Sequence, residues 1–203
     1  MAKLSIKELD RILCIPLSLE LARWEREMSD EAAKDRMQTV RHESAHLVVA
    51  IACGSAILAI ELKPYGKARR GTAGIANTVE LLEWHTAWVY FAGAAWEKYN
   101  GDIERAHDDL TGGIQAAIEA GTDPFDLFWQ VAQYVEMDAE QVINYAAVGI
   151  LLLMPKNGKL TGNKLAALVR WLKPLIPALN PPLENLLSAP CGLPLKPPYH
   201  FSY

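Results

Sequence analysis

Apolar residues occupy every side of the chain between Leu47 and Ala52. A helix that is hydrophobic all round is a buried one. The segment from about 37 to 53 is therefore predicted to be a central helix, with Gly54 as its stop. Upstream, Ser5 can cap a helix over Ile6–Leu13. From Pro16 to about Lys34, Leu17, Leu19, Leu21, Ala22 and Trp24 alternate with charges as in an amphipathic helix. Ala56–Leu62 is a short β-branched and apolar run closed by Pro64 and reads as a strand. Gly71–Val79, with two glycines, is a weaker strand, and the two suggest a hairpin or small sheet. Five helices are expected after that. They run from Glu80 to about Asn100, from Asp102 to about Ala120, over Phe125–Val135 behind Asp123-Pro124, from Asp138 to about Leu153, and from Thr161 to about Leu172. Eight of the twelve prolines lie from Pro174 onward, which predicts an extended tail. The pattern gives a mostly α chain with a small β-sheet (α+β). It divides into N-terminal helices over 1–36, a helical body over 37–173 and a proline-rich tail over 174–203.

Composition narrows the classes of function. With 203 residues, 51% hydrophobic and 22% charged, the chain can bury a sizeable core. A formal net charge of −4 gives no electrostatic case for nucleic acid. The densest basic spot, Lys67, Arg69 and Arg70, reads as a solvated turn. Cys14, Cys53 and Cys191 form no C-x-x-C pair, which argues against a cysteine-rich zinc site and for reduced thiols. No stretch reaches the ~18 apolar residues of a membrane span; the longest run, Ala146–Met154, suits a buried helix. The expectation is a soluble, cytoplasmic protein with no membrane partner.

One motif carries chemistry. His42-Glu43-Ser44-Ala45-His46 is an H-E-x-x-H sequence on the central helix. Residues four apart share a helix face about 6 Å apart along the axis, so two imidazoles there can converge on one ion. Glu43 would lie beside the metal, placed to take a proton from a metal-bound water. His42, His46, Val49 and Cys53 form one stripe that runs into the core. A buried histidine pair without a ligand is hard to satisfy, and this favours Zn2+ over a chance match. Cys53 lies about 10 Å from His46 along the axis, too far for the same ion, and reads as a core thiol.

A catalytic zinc ordinarily has three protein ligands and an open position. The metzincin extension is excluded, because Val49 and Ala52 stand where it needs Gly and His. His85, Glu97, Asp102, His107, Asp108 and Asp109 remain as candidates. Ile103, Ala106, Leu110, Ile114 and Ala117 suggest a core face for the helix from Asp102, with His107 about 50° and Asp109 about 110° from its centre. That periodicity favours His107. Asp109, however, shares a second stripe with Asp102, Ala106, Gly113, Ala116 and Ala120, whose small residues admit a neighbouring helix, expected to be the zinc helix. Asp108 points to the polar side. Glu97 reads either as a carboxylate orienting a zinc histidine or as an exposed helix charge. His85, among Trp84, Trp88 and Tyr90, reads as a packed histidine, and Trp84, Trp88 and Trp96 as packing residues.

His42-Glu43-Ser44-Ala45-His46 with Leu47-Val48-Val49 resembles the zinc helix of FtsH-type ATP-dependent metallopeptidases. Ala92-Gly93-Ala94-Ala95-Trp96-Glu97 followed by Gly101-Asp102 resembles that family's Gly-Gly-Arg-Ala-Ala-Glu helix and its turn. Asp108-Asp109-Leu110 resembles its Asn-Asp-Leu segment. The resemblance covers about residues 38–120. It implies a zincin-like helical peptidase, with His42, His46 and Asp109 as zinc ligands and Glu43 as catalytic base. The chain has Ala45 where the family usually has Gly, Ala94 for its Arg, and Gly113-Ile114 for its Ala-Thr. It contains no G-x-x-x-x-G-K-[ST] phosphate loop, so only the peptidase part is matched. The expected function is zinc-dependent hydrolysis of peptide or unfolded protein substrates, without an ATPase or with one on a separate partner chain, and homo-oligomers are compatible with it. The alternative is a peptidase-like binding or regulatory protein that keeps the zinc site.

Overall fold

The computed structural model describes residues 31–62, 71–75, 83–100, 106–155 and 158–179. The N-terminal helices expected before residue 31, the Lys67–Arg70 spot, Asp102, and Cys14 and Cys191 lie outside these residues, as does the tail beyond 179.

Helix α1 spans Glu31–Ala52 without a break, so the central helix begins earlier than the expected residue 37. Ser44 through Ile51 are all buried, as the all-round apolar pattern requires. The helix ends where Gly54 takes φ 77° and Ser55 N–H donates back to Ala50 O at 2.8 Å. Strands β1 (Ile57–Leu62) and β2 (Gly71–Ile75) pair antiparallel, with a bulge at Leu58 that leaves this side chain exposed. A third strand, β3 (Lys159–Thr161), joins the other side of β1, so β1 is central in the order β2-β1-β3. Gly158 makes that junction possible: at φ 73° its carbonyl accepts from Leu62 N–H, and a Cβ there would strike Leu62 O.

Helices α2 (Glu83–Asn100) and α3 (His107–Glu119) follow. Helix α4 (Pro124–Gln133) starts as its sequence predicts, with Asp123 Oδ1 accepting from Phe125 N–H at 2.8 Å. Asp138 does not begin a separate helix. The chain runs from α4 through a π-helical turn, Tyr134–Ala139, directly into α5 (Glu140–Leu153). Helix α6 (Gly162–Leu172) closes the body. Thr161, the last residue of β3, occupies its N-cap position without a side-chain capping bond. The start of the tail lies on the body, where Tyr134 Oη donates to Pro177 O at 2.9 Å.

Helix α1 packs on α2 and α5, and α2 in turn on α3 and α4. Trp88 and Phe91 of α2, Ile143 and Ile150 of α5, Leu168 and Leu172 of α6, and Ile60 of β1 are fully buried around Leu47 of α1. Burying such side chains stabilises the fold by about 1.5–3 kcal/mol each. The architecture is mostly helical with a small antiparallel sheet. Among the described residues no helix is long and apolar enough to cross a membrane.

Candidate metal centre

Two helices build most of the site by stepping together. Gln38, His42 and His46 lie four apart on one face of α1. Val89, Gly93 and Glu97 lie four apart on the facing side of α2. His46 Nδ1 donates to Val89 O at 2.7 Å, His42 Nδ1 meets Glu97 Oε1 at 3.1 Å, and Gln38 Nε2 donates to Glu97 Oε2 at 3.3 Å. The order of these contacts means that the helices run antiparallel. Gly93, between the two holding points, meets both imidazoles. A Cβ on it would stand 2.7 Å from His42 Nε2 and Cε1, and closer still to His46 Nε2.

These partners fix the tautomers. A carbonyl and an ionised carboxylate can only accept, so both Nδ1 atoms carry hydrogens, and in the neutral rings both Nε2 atoms present lone pairs. The two Nε2 atoms lie 3.2 Å apart. Asp109 Oδ2, from the first turn of α3, lies 2.9 Å from His42 Nε2 and 3.4 Å from His46 Nε2. With both rings neutral, three electron-rich atoms converge with nothing positive of their own between them. Ligands about 2.0–2.1 Å from one tetrahedral zinc stand about 3.3 Å from each other, which is the spacing seen here. The residues present fit a divalent ion.

No family model matches this chain, and no curated protein or solved structure does.

The electrostatics run the same way. Burial alone would lower the pKa of His42, but hydrogen bonds to Asp109 and Glu97 and the charge of Glu43 outweigh it and raise the value to about 10. Burial would raise the pKa of Asp109, but hydrogen bonds to His42 and His46 dominate and hold its carboxyl well below the usual carboxylate range. Without a metal, a proton on His42 therefore takes the central positive role. Glu43 is buried at 3% exposure, one residue beyond His42, and close enough for its charge to act on that ring.

The other sequence candidates take different places. His107 is exposed at 81%, beside the also exposed Asp108, so the periodicity that pointed it inward is overturned. The reason is that α3 buries its small residues, Ala106, Gly113, Ala116 and Ala117, and leaves Ile114 and Ile118 exposed. The helix admitted by that stripe is α2, not α1: Cβ atoms on Gly112 and Gly113 would collide with the rings of Tyr90 and Phe91. Glu97 is fully buried rather than an exposed helix charge. His85 lies edge-on to Trp84, with ring centroids 3.9 Å apart, and burial lowers its pKa. Trp88 and Trp96 are buried. Cys53 is a free thiol among apolar neighbours, pushed by burial to about 12 and so unreactive.

Gly93 and Gln38 were not singled out from the sequence as site residues. Each had a signal. A glycine inside a helix is destabilising by about 1 kcal/mol relative to Ala and calls for a reason. Gln38 stands one helical turn before His42 on the same face.

Proposed function

We propose that this chain carries a zinc-dependent peptidase part of the FtsH type, with a zincin-like helical body. The observation that carries the reading is the convergence of His42 Nε2, His46 Nε2 and Asp109 Oδ2 beside Glu43 on an H-E-x-x-H helix. His42, His46 and Asp109 would hold the ion. A bound zinc supplies an acidified water and polarises a peptide carbonyl. Glu43 is the chain's own base: its carboxylate accepts a proton and passes it to the leaving nitrogen. Glu97 and the Val89 carbonyl hold the two rings in the tautomer the ion needs. An extended substrate would pair with β2, since β1 is bonded on both sides over residues 59–61.

The deciding experiment is Glu43→Gln on the full chain, assayed for zinc content and for cleavage of an unfolded protein. The variant is expected to keep one zinc and lose cleavage by at least about 100-fold, the contribution of a positioned general base. Equal cleavage by wild type and variant rejects the assignment.

A narrow site favours one second reading. His42, His46 and Asp109 are only 13%, 10% and 20% exposed. Such a site also suits a regulatory protein that binds extended chains and retains zinc without cutting them. Stoichiometric zinc with no turnover of any unfolded protein would select it.

A further inference from the structure

Glu97 is a carboxylate with no exposure at all, and burying a charge is costly unless each oxygen is held. Oε1 meets the ring of His42, while Oε2 accepts from the side-chain amide of Gln38. The amide nitrogen, not its oxygen, must face Glu97, because an ionised carboxylate only accepts. The terminal torsion of a glutamate is broad and two-fold, so a single contact to His42 would leave the carboxylate plane poorly defined. A second contact from the other side fixes it. Gln38 and His42 are one turn apart on α1, so a single buried carboxylate of α2 spans exactly that turn and grips both.

We infer that Gln38 is a positioning residue of the metal centre, acting through Glu97 to set the orientation of the His42 ring. The inference rests on the metal-site reading given above. It assigns to Gln38 no contact with the ion and no part in proton transfer. Its effect is on how well the lone pair of His42 Nε2 is aimed. Residues that orient a metal ligand ordinarily change affinity by about 10–100-fold. Gln38 acts at one remove, so the lower end of that range is expected.

The test uses the full chain, with zinc affinity measured by competition against a chromogenic chelator and the visible spectrum of the cobalt(II)-loaded protein recorded alongside. Gln38→Met keeps length and removes the donor. It should weaken zinc by about tenfold and shift the cobalt bands. Gln38→Lys, which keeps an N–H donor, should recover affinity to within about threefold of wild type. In a Glu97→Gln background the same Gln38→Met change should add little, since the route through the carboxylate is already gone. Wild-type affinity and an unchanged cobalt spectrum in Gln38→Met would overturn the inference while leaving the metal site standing. So would an equal loss with and without Glu97, which marks a general packing effect. A wild-type protein that takes up neither zinc nor cobalt would overturn the metal reading and this inference together. Should Gln38→Met not fold, the isosteric Gln38→Glu sets a carboxylate against Glu97 and must weaken zinc at least as much; unchanged affinity there overturns the inference as well.

Discussion

A single methyl group decides whether the centre can exist. Gly93 places no atom where the two imidazoles meet, and a Cβ would occupy the space between them. Gly93→Ala should leave the helices in place, since Ala is the better helix former. It should nevertheless abolish stoichiometric zinc uptake, read by metal analysis of the purified variant. Full zinc content would show that the ion does not sit where Nε2 of His42 faces Nε2 of His46. The ligands themselves are the second check at this scale. Asp109→Asn removes the charge that balances the ion while keeping its shape, and should lower zinc affinity by at least about tenfold, measured by calorimetric titration. His107→Ala should leave affinity unchanged, because that ring is solvated.

Among the elements, the docking of α3 on α2 controls where Asp109 arrives. Gly113 lies against the ring of Phe91, which is buried and has nowhere to go; even Cζ would be 2.9 Å from an added Cβ. Gly113→Val should destabilise the protein by about 1–3 kcal/mol through overpacking. It should also weaken zinc binding, because α3 must shift away and take Asp109 with it. Thermal unfolding and metal titration on the same sample check both effects, and a stable variant with intact affinity would refute the coupling. The elements themselves were largely legible in the sequence. The buried character of α1, its stop at Gly54 and the start of α4 at Asp123-Pro124 follow from local chemistry alone. What failed were judgements that depend on a neighbour. The three-residue β3 is too short to carry a period and exists because β1 offers it an edge. Asp138 looks like a cap, yet the preceding helix continues through it as a π turn. Bulky residues suggest a core face that turns His107 inward, whereas close helix contact selects small ones. That the two histidines and Asp109 come together could be expected in advance. The carboxylate behind His42 could not be told from a surface charge, since burial of Glu97 depends on how α2 meets α1.

For the molecule as a whole, the proposed metal site makes proton and metal compete for one place, and a pH dependence follows. The pKa of His42 is raised from 6.5 to about 10 in the folded, metal-free protein. The stability from its protonated form is therefore complete below pH 6.5 and is lost as pH rises through about 10. Asp109 is shifted the opposite way, so its contribution is present above its ordinary value of 3.8 and is lost as pH falls below it. Metal must displace the His42 proton. Apparent zinc affinity should thus climb by up to about tenfold per pH unit from pH 6.5 towards 10. A fixed zinc concentration equal to about 100 times the Kd at pH 6.5 should stabilise the fold by about 2.7 kcal/mol at that pH. Thermal unfolding across this pH range, with chelator and with saturating zinc, measures both. The chelated protein should lose Tm as pH rises towards 10, and the gap to the zinc-loaded protein should widen. A constant gap would mean that His42 gives up no proton to the ion.

The emptiness at Gly93 also bears on how such a protein could be retired from service. A glycine codon becomes an alanine codon by one base change in its second position. A descendant carrying that change would still display both histidines, the aspartate and the glutamate, and any inventory of those four would class it as competent. The proposed chemistry would nonetheless be gone, lost through a hydrocarbon group that no ligand list records.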